Sequence, residues 1–353
     1  MAPRQNLPDL RDQTHAELER LVQDWGERRF RADQLFRWIH GHGITALDEL
    51  TDIAKDLRDR LAERTTLTTL ELVEVADSDD GSAKLAFRTS DDQLVESVLM
   101  PEDRKVSVCL STQVGCGMGC RFCATAGLGL HRSLTAGEIV DQLYRIRTRM
   151  RAQQDDRRIS NIVYMGMGEP LANLSNTQRS LEMLMHPLGA NLSSRRITIS
   201  TAGVIPGLRR LAAWPHQVNL AVSLNATTQE IRAKIMPVAE KFPLDELMAE
   251  LRSFPLEKRR RITFEYVLIE DLNDSDEDAR RLPRLVAGIP CKFNIIPFNP
   301  VDGCEFRPPA PERLELFCEP IRRAGYTVLT RHSRGADISA ACGQLAGRLR
   351  SPE

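Results

Sequence analysis

The chain of 353 residues is short of four things, and each absence excludes something. It has no apolar run approaching the roughly 18 residues that a membrane span requires, so no spanning segment is expected. Its opening, MAPRQNLPDLRDQ, mixes both charge signs and lacks an apolar stretch, so it does not read as a secretory leader, and the cytoplasm is the expected location. It has almost no net charge, −1 with 48 Lys and Arg against 49 Asp and Glu, which gives no global electrostatic case for nucleic-acid binding. Basic character is local instead: Arg145, Arg147, Arg149 and Arg151 form one island, Arg195 and Arg196 a second, and Lys258 through Arg261 a third. Sequence alone does not say whether these islands share a face. Finally, eight cysteines are too few and too unevenly placed for a disulfide scaffold.

What is present is ordinary globular composition, 42% hydrophobic and 27% charged, in a chain long enough for one large domain and a smaller one. From Ala16 to about Leu61 the pattern is helical. Leu47, Leu50, Ile53, Leu57 and Leu61 fall at spacings of three and four, which predicts a helical stripe, and Phe30, Leu35, Phe36, Trp38 and Ile39 predict another helix. Between residues 70 and 100 the alternating runs LELVEVAD, AKLAFRTS and LVESVLM, separated by Asp-Asp turns, predict a short β-meander.

After Pro101 strand and helix alternate. Runs at 106–111, 161–166, 196–200, 218–224, 262–269 and 292–298 are apolar and β-branched, as parallel strands covered on both faces should be, with 326–330 as a possible extra edge. Helical stretches fall near 135–152, 175–186, 206–213, 244–253, 275–287 and 311–324. The expected fold is therefore α/β, a partial (β/α)6 barrel. The expected domains are a helical N-terminal accessory domain (1–65), a β-rich connector (66–101), the barrel (102–330) and a C-terminal segment (331–353). No internal repeat or low-complexity stretch interrupts this order.

Four of the cysteines, Cys109, Cys116, Cys120 and Cys123, fall close together, and three form the spacing CxxxCxxC just after the first barrel strand. Iron and zinc both favour thiolate ligands. A structural zinc site needs four protein ligands, commonly as two paired knuckles, and there is no second knuckle here. Three thiolates would leave one iron of a cubane cluster free to bind a substrate's amino and carboxylate groups. Gly115, Gly117 and Gly119 would let the backbone wrap such a cluster. The strands expected to carry the site end in small or polar residues: Gly168 and Glu169, Ser200, Ser223 with Leu224 and Asn225, and Asn299. Each also has a bland reading as a cap or turn residue.

CxxxCxxC resembles the signature of the radical S-adenosylmethionine (SAM) superfamily. Within it, FRADQLFRWI, VESVLMPEDR, VGCGMGCRFCATAGLGLHR, NIVYMGMGEPLANL, RRITISTAGV, CKFNIIPFNP and RGADISAACGQLAG together resemble the adenine-C2 RNA methyltransferases, the RlmN/Cfr group. The resemblance implies a [4Fe-4S] cluster on Cys116, Cys120 and Cys123. It implies SAM bound by Gly168, Glu169, Ser200, Ser223, Leu224, Asn225 and Asn299, with two SAM consumed per turnover. By the same carry-over Cys342 carries the methyl group, Cys109 resolves a covalent RNA adduct by forming a disulfide with Cys342, and Glu96 accepts a proton. Without the resemblance Cys342 and Cys109 would read as small buried residues and Glu96 as a surface charge. The family usually has Ser-Leu-His where this chain has Ser223-Leu224-Asn225; Asn keeps a donor and an acceptor but cannot be protonated. Cys291, Cys304 and Cys318 match no chemical role.

The implied substrates are 23S rRNA and tRNA, with an electron donor such as flavodoxin or ferredoxin, no membrane partner and a monomeric chain. Three alternatives remain open on sequence: a C8-methylating enzyme of the same group, a glycyl-radical activase, and a metal-containing RNA-binding protein without catalysis. The activase would need the cluster but would have no use for Cys342 or Cys109.

Overall fold

The computed structural model describes residues 7–331 and 333–347. Residues 1–6 of the expected N-terminal domain, and His332 and 348–353 of the expected C-terminal segment, lie outside the described residues.

The N-terminal part carries α1 (His15–Asp24), α2 (Phe30–Phe36), which runs on into a π-helical turn (Arg37–His42), and α3 (Lys55–Arg64). At the start of α1 the Glu17 carboxylate accepts from the Thr14 backbone N–H at 2.8 Å, satisfying a donor that the helix leaves free. The stripe beginning at Leu47 is not one helix. Leu47–Glu49 is a single 3-10 turn and α3 starts only at Lys55. The break follows from tertiary hydrogen bonds: Asp52 accepts from the Trp38 indole and the Gln34 amide, which holds the segment out of helical geometry. Leu50, Ile53, Leu57 and Leu61 are buried all the same, so the apolar spacing reported burial correctly and continuity incorrectly.

The meander follows as β1 (Glu71–Asp77), β2 (Ala83–Arg88) and β3 (Leu94–Glu102), antiparallel throughout. It is not a separate layer. β3 pairs antiparallel with β4 (Lys105–Cys109), which opens a run of parallel strands. A two-stranded hairpin of β5 (Gln113–Gly115) and β6 (Leu130–Ser133), absent from the sequence expectation, brackets the cysteine loop and the short α4 (Ala124–Gly127). Then come α5 (Ala136–Ala152), β7 (Arg158–Tyr164), α6 (Leu174–Met185), β8 (Ile197–Thr201), α7 (Ile205–Ala212) and β9 (Asn219–Ser223). After β9 lie α8 (Gln229–Ile235) and α9 (Val238–Lys241), both unforeseen, then α10 (Leu244–Ser253). The last units are β10 (Ile262–Leu268), α11 (Asp276–Leu285), β11 (Cys291–Pro297), α12 (Pro311–Arg323) and β12 (Val328–Thr330).

The ten-stranded sheet has the order β1-β2-β3-β4-β7-β8-β9-β10-β11-β12, with every pairing from β4 onward parallel. The order is linear, so the barrel is open, and all carboxyl ends from β4 to β12 point the same way. Buried Arg11 locks the helical module to it. Its guanidinium donates to Ile39 O at 2.9 Å and to Ile44 O, and lies 3.4 Å from Asp141 on α5, whose carboxylate also accepts from Leu70 N at 2.7 Å. A buried ion pair is weak support for stability on its own, but losing one partner leaves an uncompensated charge.

Candidate active site at the carboxyl ends of the strands

The chain turns sharply after β4, and the cysteine loop is shaped by glycines. Gly115 sits at φ 72°, and a Cβ there would fall 1.9 Å from Gly129 O, the same oxygen that accepts from Cys116 N at 2.8 Å. Only glycine allows that approach. The far side is fixed by Arg121 N donating to Ile235 O at 2.9 Å, at the end of the unforeseen α8. Cys116, Cys120 and Cys123 thereby line one cavity with Gly168, Glu169, Ser200, Ser223, Asn225, Asn299 and Cys342. It holds about 900 Å³ of space between atoms, part of it open to solvent.

The strand ends supply a polar lining. Gly168, at φ 97°, lets the chain pass Gln113, since a Cβ would lie 2.5 Å from Gln113 Cβ. Glu169 is fully enclosed. One of its oxygens accepts from Leu171 N at 3.0 Å and the other from Ala202 N at 2.7 Å, so the carboxylate ties the β7 loop to the end of β8 while bordering the cavity. Burial pushes its pKa up against those hydrogen bonds. Asn225 adopts φ 57°, a left-handed conformation that Asn tolerates better than most residues. Its Oδ1 accepts from Val267 N at 2.8 Å. Leu224 is placed differently: its side chain is in the core, and only its backbone is near the site, where its carbonyl accepts from Arg232 Nε at 3.2 Å.

Cys342 reaches the site on the C-terminal segment, which is stitched across the mouth. Asn299 Nδ2 donates to Cys342 O at 3.0 Å, Ala124 N to Gly343 O at 2.7 Å, and Gln344 Nε2 to Pro300 O at 2.8 Å. Cys342 and Cys109 line a second, adjoining cavity together with Cys123, Thr125, Met165 and Arg331. Cys342 is open to solvent at its surface yet enclosed by protein on its other sides, and this raises its thiol pKa. Burial pushes Cys109 up to about 12, with Cys342 adding to the effect. Glu96 lies elsewhere. It is fully buried and borders a third opening, shared with Lys84, Arg121, Cys123 and Cys304. One of its oxygens accepts from Ala346 N at 2.8 Å and Gly347 N at 3.1 Å; the other is 3.3 Å from Lys84 Nζ. It therefore clamps the segment that carries Cys342. Cys291 and Cys318 are buried in the core, and Cys304 donates to Arg121 O at 3.4 Å.

The sequence reading missed two buried ionisable groups. Glu265 projects into the cavity from β10, in register with Ser223 on one side and Asn294 on the other, and Ser200 Oγ donates to it at 3.1 Å. A lone charge inside the apolar run ITFEYVLI was a usable signal. Arg232 on α8 donates to Ala202 O at 2.7 Å, and burial pulls its guanidinium down to about 10. No pattern in the sequence marks it.

Residues 8–67 match the ribosomal RNA large subunit methyltransferase N-terminal domain and residues 110–282 the radical SAM superfamily. A protein from Anaeromyxobacter sp. (strain Fw109-5) named dual-specificity RNA methyltransferase RlmN is 50% identical, covering 96% of this chain and 90% of its own length. One of the same name from Geobacter sulfurreducens is 48% identical, covering 97% and 92%. The chain belongs to the RlmN family. A crystal structure of a radical SAM methyltransferase from Sphaerobacter thermophilus superposes on it with a TM-score of 0.91 at 44% identity, covering 97% of this chain and 100% of that one.

Membership of the RlmN family and its radical SAM superfamily implies SAM and a [4Fe-4S] cluster, and the residues present fit both. The donor set is three thiols on one glycine-shaped loop lining one cavity; the fourth thiol of that lining, Cys342, comes from the C-terminal segment rather than from the loop, and no imidazole lines it. The polar lining at the strand ends suits the amino, carboxylate and ribose groups of SAM. Among the described residues no helix is long and apolar enough to cross a membrane.

Proposed function

We propose that this chain methylates C2 of adenine in 23S rRNA, at the peptidyl-transferase centre, and in tRNA, at the adenine 3′ of the anticodon. The RNA methyltransferase activity is supported by family membership and by the dual-specificity name of its relatives. The observation that carries the chemistry is Cys109 and Cys342 in one cavity that also borders Cys123 of the cysteine loop.

Adenine C2 is a poor nucleophile, so direct attack on SAM's methyl group is unfavourable, and radical addition avoids that barrier. Cys116, Cys120 and Cys123 would hold the cluster, which when bound supplies one electron to SAM's sulfonium and so releases a 5′-deoxyadenosyl radical. Gly168, Glu169, Ser200, Ser223, Asn225 and Asn299, with the backbone at Leu224, orient SAM in the cavity.

Two SAM molecules serve one turnover. Cys342 takes the first methyl: its S–C bond forms as the methyl–sulfonium bond of the first SAM breaks, S-adenosylhomocysteine leaves and the thiol proton goes to solvent. The 5′-deoxyadenosyl radical from the second SAM would take a hydrogen atom from that methyl group, becoming 5′-deoxyadenosine, and the methylene carbon would bond to C2. The adduct would give up one electron, back to the oxidised cluster, and its C2 proton, which Glu96 would accept. Cys109, as thiolate, attacks Sγ of Cys342. The S–S bond forms, the S–CH2 bond breaks with its electron pair on carbon, and that carbon takes a proton to become the product methyl. A dithiol reductant restores both cysteines before the next cycle. The chain works as a monomer with a flavodoxin- or ferredoxin-like electron donor.

The test is nucleoside analysis of 23S rRNA and tRNA after incubation with anaerobically reconstituted protein, SAM and reductant. The proposal predicts 2-methyladenosine; 8-methyladenosine in its place, or uptake of zinc with no SAM cleavage, overturns it.

A further inference from the structure

Two of the basic islands converge in space. Parallel strands put the cysteine loop and its cavity at one end of the barrel and all the amino ends of β8 to β11 at the other. There Arg195 and Arg196 precede β8, Asn219 opens β9, Lys258 to Arg261 precede β10, and Lys292 is the second residue of β11. Arg195, Asn219, Lys258, Arg259, Arg260, Arg261 and Lys292 line one surface depression.

Arg260 is its strut. The guanidinium donates to Asn219 Oδ1 at 2.9 Å, Gln217 O at 2.7 Å and Ser194 Oγ at 3.2 Å, and lies 3.1 Å from Glu257. Asn219 Nδ2 donates in turn to Arg195 O at 2.9 Å. Three loops are thus tied into one platform, and the nearby carboxylate is committed to Arg260. Around it, Arg195, Lys258, Arg259, Arg261 and Lys292 have no ion-pair partner among the described residues. The crowding is felt at Lys292, whose ammonium is pushed down by burial and by the cations of Arg261 and Arg331. Towards β7 the basic character continues through Arg147, Arg151 and Arg158, where Asp155 and Asp156 dilute it.

We propose that this platform binds the phosphate backbone of the RNA substrate at a point remote from the target base. The inference rests on the RNA-methyltransferase reading. Arg195, Lys258, Arg259 and Arg261, held side by side without an ion-pair partner among the described residues, repel one another; a polyanion relieves that repulsion and releases its own condensed counterions on binding. Glu265, which lines the cavity, is only four residues along β10 from Arg261, about 13 Å, but the cavity opens at the opposite end of the barrel, so only an RNA larger than the stem-loop entering the mouth reaches both. An acidic redox protein fits less well, since it would dock at the end of the barrel away from the cysteine loop. The near-zero net charge is consistent with a local platform rather than a uniformly basic surface.

The experiment uses the full-length protein and a variant carrying Arg195→Gln, Lys258→Gln and Arg259→Gln, all exposed positions, with thermal melts to check folding. The probes are a whole tRNA and its isolated anticodon stem-loop, with affinity measured by fluorescence anisotropy over a salt series and methylation by steady-state kinetics. The variant should bind whole tRNA about tenfold or more weakly, with a salt slope reduced by about two to three because roughly one unit goes with each lost phosphate contact. KM for tRNA should rise with kcat unchanged, and stem-loop affinity should stay at the wild-type level. Unchanged tRNA affinity and slope overturn the proposal, as does equal loss on the stem-loop, which would place the contact at the mouth. Slower reduction by flavodoxin with RNA binding intact assigns the platform to a protein partner and overturns it too. Wild-type protein that binds neither RNA removes the RNA reading and this proposal together; wild-type binding that the variant retains removes the proposal alone.

Discussion

Cys109, buried at the end of β4, and Cys342, open to solvent on the C-terminal segment, line the same cavity. Cys109 immediately precedes the stretch 110–282 that matches the radical SAM superfamily and Cys342 lies 60 residues beyond it, and no spacing rule connects them. Their adjacency is what the proposed methyl-carrying and adduct-resolving roles require of them.

That pairing sets the first prediction. Cys109→Ala should leave Cys342 able to take up methyl and bond to the RNA but unable to release it, so a protein–RNA adduct stable to denaturation accumulates and turnover falls to about a single event per chain. Cys342→Ala should form no adduct at all. A denaturing gel of each variant with labelled RNA distinguishes them, and adduct formation by Cys342→Ala would defeat the assignment.

Glu96 holds the Cys342 segment through the amides of Ala346 and Gly347, and this makes its substitutions separable. Glu96→Gln retains an oxygen acceptor for those amides but cannot take a proton. The segment should stay in place, as read by limited proteolysis, while product formation falls by a factor on the order of 10²–10⁴, the usual worth of a general base. Glu96→Ala should lose both functions, since each hydrogen bond to a charged group contributes about 1.5–3 kcal/mol.

At Gly115 an added methyl would meet Gly129 O in a backbone conformation that other residues avoid. Gly115→Ala should cost on the order of 3 kcal/mol locally and displace Cys116. Iron bound after anaerobic reconstitution should drop to near zero with the rest of the fold intact by circular dichroism. Normal iron content would show that the loop relaxes freely.

Glu265 sets a pH dependence. Burial raises its pKa above the ordinary 4.5, outweighing the lowering by Arg331, Ser200, Asn294 and Lys292. The folded state therefore binds the proton more tightly than the unfolded chain. Its destabilising effect is absent below the unfolded pKa and grows as pH rises through the folded value. Glu265→Gln removes this term, so urea midpoints of cofactor-free protein should diverge in favour of the variant as pH rises from about 4 toward 8. A gap that is constant with pH would contradict the raised value.

Much of this was legible in the sequence because parallel barrels write themselves locally. The apolar runs predict β4 and β7 to β11 to within a few residues, and the strand-end rule points to Glu169, Ser200, Ser223, Asn225 and Asn299, all of which line the cavity. Three features were not legible, each for a physical reason. The Leu47 stripe keeps helical spacing across a turn that Asp52's tertiary hydrogen bonds impose. The β5–β6 hairpin and α8 are too short for periodicity to register, although they hold both sides of the cysteine loop. The role of Glu96 as a clamp depends on two amides at the other end of the chain.

The most direct measurement of the central claim is the isotopic content of the product methyl when SAM carries a CD3 group. If the methyl passes through Cys342 and loses one hydrogen before joining C2, the product carries CHD2 and the lost deuterium appears in 5′-deoxyadenosine. A product methyl that arrives as intact CD3 would show direct transfer and contradict the account.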